Sequence, residues 1–244
     1  MLQPHIKLES VDKICLLSGN PDRVPIIADN LKNSEKIADY RGLVAYKGVT
    51  PRNKIPVNVL TTGMGTGSSS IVLEEAYRAG GRIFIRIGST GSFQPGDGIG
   101  SIFIPHAAIR DEGTSKQLIP IEFPATATPH LHHDLCNAAN NLGINYKTGV
   151  VWTTDIYYDP AGITRHKKWI NYGMVCVEME SSALFIFGSL KGNDVSVATI
   201  LTSDGNVEEQ NNIYEGDVSD NNRVFEESVQ KTIDIVIETI ENMS

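Results

Sequence analysis

Short apolar runs rich in Val and Ile recur along this chain, and stretches of helical periodicity separate them. KICLLSG, VNVLTTG, RIFIRIG, SIFIPHA, TGVVWTT, MVCVEM and VSVATILTS read as buried strands. Amphipathic stretches over 22–31, 68–79, 129–142, 163–172 and 181–190 lie between them. The last segment, from about residue 222 to 243, is the clearest helix. Its Val224, Phe225, Val229, Ile233, Val236, Ile237 and Ile240 recur at helical spacing. This alternation predicts an α/β fold with a central mixed β-sheet flanked by helices on both faces. No repeat, low-complexity tract or linker interrupts it. A chain of 244 residues is within reach of one hydrophobic core, so a single domain over 1–244 is expected.

Charge narrows the partners. The 29 acidic residues outnumber the 21 basic ones, giving a net charge of -8. Nucleic acid calls for a basic field, so it is not an expected partner. Anions can still bind through a local cluster of donors, which directs attention to single arginines. Cys15, Cys136 and Cys176 are odd in number and lack metal-ligand spacing, so they read as reduced thiols. His130, His132 and His133 look like a solvated helix start, and no metal or cofactor is expected. MLQPHIKLES has no apolar stretch of signal-peptide length, and no segment approaches the ~20 apolar residues that cross a bilayer. A cytoplasmic protein without a membrane partner is the expectation.

In open α/β sheets, ligands gather at the carboxyl ends of strands, and the unusual residues here collect at such ends. SGNPDR follows the first strand, with Gly19 permitting a close backbone approach; Arg23 is either solvated or part of an anion site. TTGMGTGSSS opens a helix with bare N–H groups, a ready anion site. Its G-x-G-x-G spacing, with no acidic residue after the next strand, departs from the dinucleotide pattern. Arg86 lies inside RIFIRIGSTGS, where burial is costly without an anion or a core carboxylate to pair with. Guanidinium forks suit phosphate, and Ser89 could complete the cradle.

In VCVEMESS, an extended backbone would point Glu178 and Glu180 to one side. Glu178 reads as an acidic residue favourably placed at a helix start, and Glu180 as a carboxylate for ribose hydroxyls, with Met179 against an apolar ligand face. Asp204, after Ser203, is equally a turn former or a general acid of raised pKa.

Taken together, these segments resemble the nucleoside phosphorylase family that contains hexameric purine nucleoside, uridine and methylthioadenosine phosphorylases. GNPDR resembles its phosphate turn, with Asn20 in place of the usual aspartate. GMGTGSSSIVLEE resembles its glycine-rich signature, RIGSTGS its phosphate strand and VEMES its ribose motif. The resemblance implies phosphorolysis of a ribonucleoside to free base and ribose 1-phosphate, with inorganic phosphate as co-substrate. It implies phosphate binding by Gly19, Arg23, Arg86 and Ser89, with Arg41 contributed across a subunit interface. Ribose would be held by Met179, Glu180 and a neighbour's His5. Thr90, Gly91, Tyr157 and Ser203 would face the base, and Asp204 assisted by Arg223 would protonate it. A homo-oligomer follows, with a dimer as the minimal active unit and a hexamer as the usual assembly.

The Ser203–Asp204 pair favours purine nucleosides. Uridine is the alternative, although YDPAGITRH after Tyr157 lacks the glutamine that uridine phosphorylases use, and Arg165 stands at an uncertain spacing. A nucleosidase, using water, would have little need of three arginines. A nucleoside-binding module without turnover would keep the fold and lose the chemistry.

Overall fold

The structure, a computed structural model, describes residues 4–158, 164–207, 211–212 and 218–243. Among these residues the frame is a 12-stranded mixed sheet. The central strand β5 (Ile83–Ser92) pairs in parallel with β1 (Ile14–Ser18) on one side and with β11 (Ser196–Asn206) on the other. Beyond β1 the sheet continues through β4 (Pro56–Thr61) and β3 (Leu43–Val49) to β2 (Lys32–Tyr40). Near its carboxyl end β5 also pairs antiparallel with β10 (Met174–Glu178), which leads to β9 (Val150–Thr154), β7 (Ala107–Asp111) and β8 (Ala125–Thr126). The sheet therefore divides at β5, and the divide is where the unusual side chains meet.

Strand alternation sends side chains into two separate cores, which is why these strands are apolar throughout. Cys15, Leu17, Leu60, Phe84 and Val197 pack under α2 (Gly65–Ala79) and α6 (Ser181–Lys191). Leu16, Val59, Ile85, Ile87 and Ile200 pack on the opposite face under α1 (Arg23–Ala28), α4 (Pro129–Asn141) and α7 (Val218–Glu241). The stripe read from sequence on the last helix is its buried face: Val229, Ile233, Val236 and Ile240 are all core. Helix α6 is buried from Ser181 to Gly188 without a polar face, consistent with its apolar sequence. No helix among the described residues is long and apolar enough to cross a membrane.

Three features differ from the sequence-based expectation. The SIFIPHA run splits into β6 (Ile102–Phe103) and the start of β7, because Pro105 between them has no N–H for a ladder. The β2–β3 hairpin lacks an apolar signal, since β2 is polar and mostly exposed. Its turn is carried by Arg41 at φ 58° and Gly42 at φ 75°, the left-handed pair that joins antiparallel strands. Finally, β5 and β11 run past the residues expected at their ends. Their pairing continues to Asn206↔Ser92, so Thr90, Gly91, Ser203 and Asp204 lie within strands. Ser, Thr and Gly do not end a strand whose neighbours on both sides supply hydrogen bonds.

Phe84 is fully buried beneath α6 and meets Phe187 edge to face at 5.8 Å. Phe84→Ala is expected to cost about 3–5 kcal/mol of stability, read from urea unfolding.

Candidate active site

Arg86 is 5% exposed in the middle of β5, paired with Leu17 of β1 and Thr199 of β11. Two carboxylates offset its burial. Glu180 binds Nη2 directly, and Glu178 Oε2 lies 3.6 Å from Nη1. Burial works against the Arg86 charge, but Glu180 and Glu178 outweigh it and hold its pKa above the ordinary arginine value. Nε and Nη1 are buried and make no hydrogen bond among the described residues, so the guanidinium still has donors for an anion.

The two glutamates divide their work. Glu178 Oε2 accepts the backbone N–H groups of Glu180 and Ser181, each at 2.8 Å, at the start of α6. Its other oxygen, Oε1, accepts from the Thr153 hydroxyl at 2.6 Å. Burial raises the Glu178 pKa despite Arg86. This is the helix-start role expected for Glu178, with Arg86 as an added partner. Glu180 instead spans two elements, accepting from the Gly65 backbone N–H of α2 at 2.5 Å as well as from Arg86. Each of its oxygens keeps lone-pair capacity for a ligand hydroxyl.

A second buried guanidinium follows β1. Arg23 is 9% exposed at the first position of α1, and burial together with Arg86 lowers its pKa to about 10, against the pull of Asp204. It makes no ion pair among the described residues. A buried arginine facing another arginine is unfavourable unless an anion lies between them. Gly19 keeps the backbone before α1 close to the glycine-rich turn: a Cβ there would stand 3.3 Å from Gly63 O.

Asp204 owes its position to a bulge. Ser203 pairs with Thr90 and Gly205 with Gly91, so Asp204 is the extra residue of β11. Burial pushes its carboxyl up to about 6, although its own backbone N–H and Arg23 pull downward.

The remaining expectations are met unevenly. Ser89 and Met179 are half-buried beside the arginine and the glutamates in sequence. The Ser203 and Thr90 hydroxyls are both engaged by backbone carbonyls. Ser203 is fully buried and bonds Gly205 O at 2.9 Å, bracing the bulge; Thr90 bonds Val177 O at 2.6 Å, tying β5 to β10. Gly91 serves packing, because a Cβ there would meet Val207 Cγ2 at 2.8 Å. Arg223 is engaged elsewhere on its own helix. Its side chain is 61% exposed and bonds Asp220 at 2.5 Å and Glu227 at 2.9 Å on its own helix, where spacing of three and four residues favours such pairs.

Tyr157 is 70% exposed and stands edge-on against Tyr158. The segment after it falls at 159–163, outside the described residues. Arg165 is held by Asp111 at 2.6 Å and lies over Trp152. His5 is no loose tail residue, since its backbone N–H and ring both bind Glu75 of α2 at 2.8 Å. His5 and Arg41 do not join the Arg86 cluster. Together with Leu43, Ser68 and Ile71 they line a separate open cavity of about 180 Å³.

The sequence reading passed over the support beneath the site. Glu112, buried, accepts from Ser115 and Ser182, while Asp155 accepts from Gly113 N at 2.8 Å and Thr66 Oγ1 at 3.3 Å. These bonds connect the starts of α2, α6 and α3 (Gly113–Leu118). An acidic residue at the end of an apolar run, followed by a capping pattern, was the only available signal. Among the described residues no cluster of His, Cys, Asp or Glu could hold a metal.

Comparison with known proteins identifies this arrangement. Residues 13–241 match the model of the phosphorylase superfamily, and the chain belongs to it. Its class is that of the nucleoside phosphorylases, which are pentosyltransferases. The chain is 35% identical over 199 residues to a uridine phosphorylase of Treponema pallidum, covering 77% of this chain and 76% of that protein. It is 30% identical over 208 residues to a guanosine phosphorylase of Halorubrum lacusprofundi, covering 84% of each. A match at 41% identity to a uridine phosphorylase of Thermococcus kodakarensis spans 64% of this chain and 57% of that protein. Among solved structures, a uridine phosphorylase from Vibrio fischeri superposes with a TM-score of 0.90 at 28% identity, over 99% of this chain and 98% of that one. A purine nucleoside phosphorylase from Toxoplasma gondii, in complex with immucillin-H, gives 0.87 at 26%, over 99% and 96%.

The Asp204 carboxyl binds its proton more tightly in the folded protein than in the unfolded chain. Stability therefore falls as pH rises from about 4 to about 6, and the penalty of up to about 3 kcal/mol applies above that. Asp204→Asn is expected to be more stable than the parent at pH 8 and not at pH 4, by urea midpoints.

Proposed function

We propose that residues 1–244 act as one nucleoside phosphorylase domain that uses inorganic phosphate to cleave uridine to uracil and ribose 1-phosphate. The observation that carries phosphorolysis is a pair of buried guanidinium groups: Arg86 keeps two donors without a partner, and Arg23 makes no ion pair among the described residues and is near enough to Arg86 for its pKa to be lowered. Water needs no such pair, which favours a phosphorylase over a nucleosidase. Uridine is favoured over the purine preference expected from sequence by the relatives, most of which are named uridine phosphorylase.

Phosphate in this reading is held by the Gly19 backbone and Arg23 after β1, and by Arg86 and Ser89 within β5. Glu180 accepts the ribose hydroxyls, and half-buried Met179 lies against the sugar. As the glycosidic bond stretches, C1′ becomes cationic and the base takes the electron pair. Phosphate stabilises that cation and then attacks it, forming ribose 1-phosphate. His5 and Arg41 lie apart from Arg86 in one chain, which fits a dimer in which each subunit supplies both to its neighbour, and a hexamer built from such dimers. A cytoplasmic site of action fits this co-substrate.

Asp204 favours a second reading. A carboxyl group pushed to about 6 can donate a proton to N7 of a leaving purine. On that reading inosine is the substrate, and its cleavage is lost as pH rises through the Asp204 pKa.

The test is cleavage of uridine and of inosine by the pure protein, each with and without phosphate, scoring ribose 1-phosphate. Phosphate-dependent turnover of uridine, little changed by Asp204→Asn, is the expected result. Preferential turnover of inosine, abolished by Asp204→Asn, would establish the second reading instead. Phosphate-independent cleavage would overturn both. Arg86→Ala is expected to lower kcat/KM for phosphate by about 10²–10³-fold in steady-state assays.

A further inference from the structure

We propose that Gly88 is a positioning residue for phosphate binding: the absence of a side chain there allows the Arg86 guanidinium to lie along β5 against Glu178 and Glu180. Residues 86 and 88 point to the same face of a strand. A Cβ built on Gly88 would stand 1.8 Å from Arg86 Nη1, 2.5 Å from Cζ and 2.9 Å from Nη2. The guanidinium thus occupies the volume that any other residue at 88 would fill.

Arg86 has no easy alternative. Its end is held by two buried carboxylates, and Leu17 and Thr199 flank it on the adjoining strands. A methyl group at 88 would push the guanidinium off the glutamates, leaving three buried charges mismatched. The need is steric and not conformational. Gly88 is absent from the glycines of positive φ, so its backbone accepts alanine, and alanine in a strand removes the entropic cost of glycine. Gly88 itself touches no substrate in this account; it acts through Arg86.

This inference rests on Arg86 being a phosphate ligand, so the experiment separates the two claims. Gly88→Ala, Arg86→Ala and the double variant are compared with Gly98→Ala, where a Cβ meets nothing within 4 Å. KM for phosphate and for the nucleoside turned over are measured, together with phosphate binding by calorimetry and thermal unfolding. Gly88→Ala is expected to raise KM for phosphate at least about tenfold while moving the nucleoside KM less than about threefold. In the Arg86→Ala background it is expected to add no further loss, because the group it displaces is gone. If Gly88→Ala alone fails to fold, stability decides: the double variant is expected to be no less stable than Arg86→Ala by thermal unfolding, and a further loss from Gly88→Ala in that background would overturn the proposal. Unchanged phosphate affinity in Gly88→Ala, or losses that add, would overturn it as well. An Arg86→Ala protein with normal phosphate KM would sink the phosphate reading of Arg86 instead.

Discussion

Burying a guanidinium in the central strand of a sheet is costly, and much of this structure is arranged around that cost. Arg86 needs Glu180 and Glu178 beside it, and each glutamate in turn needs donors of its own. Glu178 finds them in the first N–H groups of α6 and in Thr153 of β9; Glu180 finds one in Gly65 at the start of α2. One charge thereby joins β5, β9, β10, α2 and α6. A single truncation among these groups leaves a buried ion unpaired, whereas the intact set holds Arg86 charged with free donors. The apolar layers on both sides supply stability, and the ion cluster determines how the helix ends meet.

Charge is distributed unevenly across that cluster. On the Glu180 side, acids compensate the arginine. On the Arg23 side, a second arginine makes no ion pair among the described residues and holds its proton less firmly. In the proposed function this asymmetry gives phosphate one side of the cluster and the ribose hydroxyls the other. The bulge in β11 adds a half-buried acid at the same edge, and Ser203 holds that bulge in place.

Base identity is where the two lines of inference diverge. Kinship leans toward uracil, since relatives named uridine phosphorylase predominate, while a guanosine phosphorylase and a purine nucleoside phosphorylase are also similar. The raised pKa of Asp204 leans toward a purine. Arg165 is engaged by Asp111 and Trp152, and the segment after Tyr157 lies outside the described residues.

The sequence by itself determined the α/β class and the order of the main strands and helices, and it singled out Arg86 and Glu180, which the fold buries together. These were legible because they depend on local signals: Val- and Ile-rich runs, helical periodicity, glycines before helices, and a charged residue inside an apolar run. It did not reveal the β2–β3 hairpin, whose edge strand is polar, or the extension of β5 and β11 through Ser, Thr and Gly. Nor did it tell which polar side chains face a ligand. Thr90 and Ser203 are consumed by the sheet, Arg223 pairs on its own helix, and Gly88 is occupied by a neighbour's guanidinium. Only tertiary structure decided these, because a side chain's partner is set by what the other strands bring within a few ångströms. Spacing along one strand carries no record of that.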